Sequence, residues 1–177
     1  METGNSKISE EVYVDMRKQI ILFLATGLGC GYSPIFPGAI GAFLGFLLSL
    51  LLFQLPNYLR LILGFCFIGV SFFVTEKAQH YFSKIDPHEI IIDEIAGVVC
   101  ASLFFQVPGW FVVFGIKIPF YLLWAFLLFG LLDKFKPFPA SRFHQSPTKF
   151  GIVFDDIVSG IYAGLVVLFV VLWIDKI

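Results

Sequence analysis

Long apolar runs separated by short polar stretches organise this chain. From Gln19 to Leu59 no residue carries a formal charge, and apolar runs then recur over about Tyr58–Val74, Ile90–Phe105, Phe111–Leu132 and Gly151–Trp173. Runs of this kind approach the roughly 20 residues that a helix needs to cross a hydrocarbon core of about 30 Å. The uncharged stretch is too long for one helix, and GLGCGYSPIFPGAIG (27–41) interrupts it with Pro34, Pro37 and five glycines. Proline removes an amide donor and blocks the preceding turn, so a regular helix cannot run through. Irregular backbone at membrane depth is tolerated only against protein or a water-filled cavity. The pattern therefore predicts an all-α integral membrane protein. It has about five transmembrane helices, the first over about Ala39–Phe53, and a broken or re-entrant Gly/Pro segment near the N-terminus. Residues 1–18 form a polar lead, with a short amphipathic helix over 8–18, and 19–177 form one membrane-embedded catalytic domain.

Composition strengthens this picture. Of the 177 residues 58% are hydrophobic and only 14% charged, and the mean hydropathy is +0.89, more apolar surface than a soluble domain of this size can hide. The net charge of -1, with scattered cations, argues against a nucleic-acid partner. The polar, acidic start is unlike a cleavable signal peptide. Cys30, Cys66 and Cys100 lie far apart in apolar sequence, without metal-ligand or disulfide spacing. Counting Lys and Arg between five spans gives nine on the N-terminal side and three (Arg60, Lys117, Lys176) on the other. The positive-inside rule then places the N-terminus in the cytoplasm. The Gly/Pro loop and the polar residues that open or close the third, fourth and fifth spans all fall on that face.

Two acidic pairs carry the candidate chemistry. Asp93 and Glu94 open one apolar run, and Asp155 and Asp156 sit near the start of another. Carboxylates in such segments cost roughly a few kcal/mol each on insertion scales unless a cation, a partner or water meets them. A single pair could simply favour a positive helix N-terminus. Two pairs on one face point to an oxygen-lined site for Mg²⁺ or Mn²⁺, with Asp93, Glu94, Asp155 and Asp156 as ligands. Gly97 and Gly160, one turn beyond each pair, would let the two helices approach closely. In the Gly/Pro loop, backbone amides near Gly31, Ser33 and Gly38 are candidates to bind a substrate anion. In DKFKPFP (133–139) Lys136 is a candidate phosphate ligand, with Phe135 and Phe138 at the interface. The plainer alternatives are a simple helix break and a basic loop facing anionic lipid. His144 could act as an acid or base, whereas His80 and His88 read as surface residues. Together these parts suit phosphoryl transfer from a lipid phosphomonoester to water. A cation-coupled transporter would use the same carboxylates and the broken helix.

These residues also resemble a known family. GCGYSPIFPGAIG (29–41), DPHEIIIDEIAG (86–97), LLDKFKPFP (131–139) and GIVFDDIVSGIYAG (151–164) are similar, in order and nearly in spacing, to the motifs of phosphatidylglycerophosphatase A. The resemblance implies a multi-pass enzyme of the bacterial inner membrane with its active site on the cytoplasmic side. It would depend on Mg²⁺ and dephosphorylate phosphatidylglycerophosphate to phosphatidylglycerol. Asp93, Glu94, Asp155 and Asp156 would be the metal and catalytic residues, and Asp133 a further catalytic residue in the D-x-x-K-P segment with Lys136. The chain departs from the family pattern at Gly130, where an arginine is usual, at Ala39 and Ala42, where hydroxyl residues are usual, and in a shorter loop after Pro139. A divergent member acting on another lipid phosphate is the alternative that these departures raise.

Overall fold

The computed structural model describes residues 15–82, 87–105, 110–113, 116–138 and 151–174. The first described helix, α1, covers 15–25 and so runs through the boundary expected at residue 18. It stops at Thr26, whose hydroxyl bonds back to the Leu22 carbonyl at 2.8 Å and accepts from the Gly29 amide at 3.1 Å. A 3-10 turn follows at Cys30–Tyr32, and helix restarts only at Pro37. The Gly/Pro segment is thus a true break. Proline in the first turn suits the restart, because that amide would lack a helical partner anyway.

Helix α2 is Pro37–Leu52, α3 is Asn57–Gln79, α4 is Ile92–Ser102, α5 is Phe120–Phe135 and α6 is Gly151–Ile174. Helix α4 is the hub, and every residue in it except Glu94 is buried. Its small residues admit close neighbours. A methyl group on Gly160 of α6 would overlap the Gly97 carbonyl of α4, and one on Gly97 would meet the Phe129 ring and the Asp156 carbonyl. The close approach expected from these two glycines is what the structure shows. Gly45 of α2 packs similarly, its would-be methyl carbon 2.8 Å from the Ile95 carbonyl oxygen. Across the bundle Phe46 of α2 meets Phe126 of α5, ring centroids 5.3 Å apart.

Three expectations change. Among the described residues only α3 and α6 are both long and apolar enough to cross a membrane, with 23 and 24 residues. Helices α2 and α5 have 16 residues and α4 has 11, so at about 1.5 Å per residue they fall short of 30 Å. The fourth run is not helical from Phe111. Trp110–Val113 and Ile116–Pro119 pair as an antiparallel ribbon, in keeping with their aromatic and β-branched residues. Pro119 disfavours helix in the residue before it, so α5 starts only at Phe120. The second run goes the other way: its helix continues beyond Val74 to Gln79.

The outward faces remain apolar. Phe43, Phe65, Leu131 and Phe169, from four different helices, are each at least half exposed, a surface that water-soluble monomers avoid.

Candidate functional site

The two acidic turns meet at one end of the α4–α6 seam. Asp93 and Glu94 occupy the first turn of α4, where carboxylates complement the helix dipole. Asp156 reaches them from α6, and one carboxylate oxygen from each of Asp93, Glu94 and Asp156 lies within 4.8 Å of the others. Asp93 and Asp156 are 3% and 5% exposed. At such separations two charges repel by about 3 kcal/mol even at an effective dielectric constant of about 20. Three carboxylates therefore stay together only with protons or a cation between them. Among the described residues the buried Glu94 Oε2 has no hydrogen-bond partner. An all-oxygen donor set with an unsatisfied buried oxygen fits a hard divalent cation.

Asp155 takes a different place from its neighbour. Successive helical residues point about 100° apart, and Asp155 turns to the Lys136 ammonium, with which it forms a close, charge-assisted hydrogen bond. Asp133, one turn back on α5, lies 3.9 Å from the same ammonium. Lys136 holds the left-handed conformation, φ 41° and ψ 63°, and closes α5 through its amide to the Leu132 carbonyl at 2.7 Å. This is an uncommon conformation for a lysine, of the kind found at functional sites. Burial alone would lower the Lys136 pKa, but the carboxylates of Asp155, Asp156 and Asp133 outweigh it and raise it above the usual lysine value. The ammonium is therefore charged at neutral pH.

These groups line one pocket of about 90 Å³, bounded also by Pro87, His88, Ile90 and Ile152. All five acidic candidates and Lys136 are brought together there. Of the loop candidates, Gly38 packs beside the site: a methyl on it would come 2.8 Å from Glu94 Oε1. Gly31 serves packing, its amide bonded to the Thr26 carbonyl at 2.8 Å and its α-carbon against the Glu89 carbonyl. The Ser33 hydroxyl bonds within its own turn, to the Ile35 carbonyl at 3.1 Å. Neither Gly31 nor Ser33 is in the pocket wall. The end of α1 braces the site, since Ile91, just before α4, donates its amide to the Ala25 carbonyl at 2.9 Å. His88 is exposed, as read from the sequence, but it also lines the pocket, which that reading did not anticipate. Its place five residues ahead of Asp93, on the turn that feeds α4, was the available signal. His80 is away from the pocket, its ring 2.8 Å from the Glu76 carbonyl. His144 lies outside the described residues.

Comparison with known proteins finds similarity over most of the chain. A family model described as phosphatidylglycerophosphatase A matches residues 23–171. A relative named phosphatidylglycerophosphatase A from Escherichia coli K12 is 30% identical over 152 residues, which cover 83% of this chain and 81% of the relative. One of the same name from Haemophilus influenzae is 29% identical, covering 86% and 90%. A Bacteroides thetaiotaomicron protein, provisionally named as a phosphatidylinositol-3-phosphatase, is 26% identical, covering 82% and 90%. No solved structure matches the chain.

Proposed function

The chain belongs to the phosphatidylglycerophosphatase A family, and from that premise we propose that it removes the terminal phosphate of phosphatidylglycerophosphate, yielding phosphatidylglycerol. The observation that carries this reading is the convergence of Asp93, Glu94 and Asp156 in one pocket with Lys136. Those three carboxylates would hold Mg²⁺. Bound there, the ion would neutralise phosphate oxygens and ease deprotonation of water. Lys136, held charged and aimed by Asp155, binds a phosphate oxygen and stabilises the charge that grows on it. Asp133 flanks the same ammonium and limits its motion. In the reaction water oxygen bonds to phosphorus, the P–O bond to the glycerol headgroup breaks, and the leaving oxygen takes a proton. His88, exposed on the pocket wall, is placed to supply that proton.

The pocket lies at the end of a bundle with apolar outer faces, which supports a multi-pass protein of the bacterial inner membrane. Given five spans, the distribution of Lys and Arg along the sequence supports a pocket on the cytoplasmic side. Crossing by five helices then requires the shorter ones to be completed by flanking backbone or by local thinning of the bilayer. The Bacteroides relative supports a second substrate, an inositol lipid phosphate. The transporter alternative gains no support from relatives named as phosphatases.

The test is phosphate release by the purified chain in detergent micelles, with phosphatidylglycerophosphate and a phosphatidylinositol phosphate as parallel substrates. Release that requires Mg²⁺, stops with EDTA and is absent in Asp156→Asn is expected. Release insensitive to EDTA would overturn the metal assignment, and preference for the inositol lipid would shift the substrate.

A further inference from the structure

Building on the lipid-phosphate reading above, we infer that the pocket mouth carries two apolar lips that select a substrate presented from within a bilayer. The first lip comes from the loop that leads into α2. Tyr32, Ile35 and Phe36 are exposed there, Phe36 at 77%. Phe36 adopts the left-handed conformation, φ 48° and ψ 56°, as does the exposed Leu28 at φ 62°. Bulky residues rarely hold this conformation, and here the apolar side chains of both residues are exposed in the break between α1 and α2. The second lip is the end of α5 and the turn after it, where Phe135, the last helical residue, is 72% exposed and Phe138 is likewise exposed.

Both lips adjoin the site. Phe36 is two residues from Gly38, which abuts Glu94, and Phe135 and Phe138 flank Lys136. They belong to helices that pack against each other through Phe46 and Phe126. The pocket is open at Asp133 and Lys136, which are partly exposed beside the second lip, and at the exposed His88, whereas Asp155 is buried. A pocket of about 90 Å³ holds a phosphate group and little more. The glycerol and acyl portions of the substrate must therefore lie outside it, against these lips, with the acyl chains passing into the leaflet.

The decisive experiment uses the full chain reconstituted in phosphatidylcholine bilayers. Long-chain phosphatidylglycerophosphate is supplied in the same bilayer, or a short-chain, water-dispersed analogue from solution. The double variant Phe36→Asn, Phe135→Gln keeps a residue tolerant of the left-handed conformation at 36 and a helix former at 135. It should lose about tenfold or more in kcat/KM on the bilayer substrate, the scale of withdrawing two aromatic side chains from an apolar environment. On the soluble analogue it should match the wild type within about twofold. Equal loss on both substrates, or no loss on either, would overturn the inference.

A second arm needs no turnover. A spin label on Phe36→Cys, in a chain with Cys30 and Cys66 replaced by alanine, should collide readily with dissolved oxygen and be shielded from a water-soluble nickel chelate. The reverse pattern would overturn the lip. If the wild type proved inactive on both substrates, the proposed reaction would fail, while the label would still decide the lip.

Discussion

The bundle buries charge at both ends in opposite ways. At the end away from the pocket Arg60 is 4% exposed. It bonds the Asn57 side chain at 2.7 Å and the Phe105 carbonyl at 3.1 Å, and its guanidinium stacks 4.4 Å from the Phe53 ring. These partners are neutral, and they join α3 to the residues that end α2 and α4. At the other end three carboxylates crowd together, and the nearby lysine is taken up by a fourth, Asp155. The first arrangement gives the guanidinium two neutral acceptors, while its buried Nε finds none among the described residues. The second is left short of positive charge, as the proposed site for a cation and a phosphate must be. A lone buried charge held by neutral groups away from the pocket reads as a staple, and like charges crowded into one pocket read as function.

The largest effect should come from breaking the acidic end. Asp156→Asn removes one ligand and part of the repulsion, so activity should fall by a thousandfold or thereabouts while stability holds or rises. Phosphate release and thermal unfolding in the same detergent check both. A variant that unfolds and keeps its specific activity would make the cluster a structural feature, like Arg60. Next comes Lys136→Met, expected to lower kcat/KM about a hundredfold. Asp155→Asn should lose less and should not add to the lysine variant in a double-mutant cycle, because the two act as a unit. Additive losses would assign Asp155 to the metal instead.

Arg60→Met tests the contrasting end. The Phe105 carbonyl would lose a buried donor, a cost of about 1–3 kcal/mol that a lowered midpoint in thermal unfolding should report. Activity per folded molecule should be unchanged. Lost activity at unchanged stability would erase the distinction between the two ends.

The same contrast shows what could be read beforehand. The acidic pairs, the break after α1 and the role of Gly97 and Gly160 were legible because each is a local violation of an otherwise apolar pattern. Asp155 and Asp156 were read as one pair because spacing alone does not show what surrounds a helix; Lys136, which separates their roles, comes from a different element. Arg60 was visible as a charge, but its staple depends on Phe105, which is 45 residues away. The ribbon at Trp110–Val113 and Ile116–Pro119 was hidden because a short apolar run has no period that distinguishes strand from buried helix. The substrate roles given to Gly31 and Ser33 rested on glycine-rich loops in general, and here the Gly31 amide bonds the Thr26 carbonyl and the Ser33 hydroxyl the Ile35 carbonyl, within the break itself.

The smallest effect concerns glycine and sharpens the comparison within a single residue type. Gly97 and Gly160 sit where the two acidic turns are pressed together, and a methyl on either would run into backbone. Among the described residues Gly130 of α5 has no neighbouring atom within 4 Å of a would-be methyl group, and it is exposed. Nothing in its surroundings requires glycine, so it carries only the entropic cost of glycine in a helix. Gly130→Ala should therefore raise stability by up to about 1 kcal/mol and leave phosphate release unchanged. Unfolding midpoints read beside Gly97→Ala, which should fall, measure both. A loss of turnover in Gly130→Ala, at full stability, would mean that the open space beside α5 is used by the substrate, extending the pocket mouth beyond Lys136 along that helix.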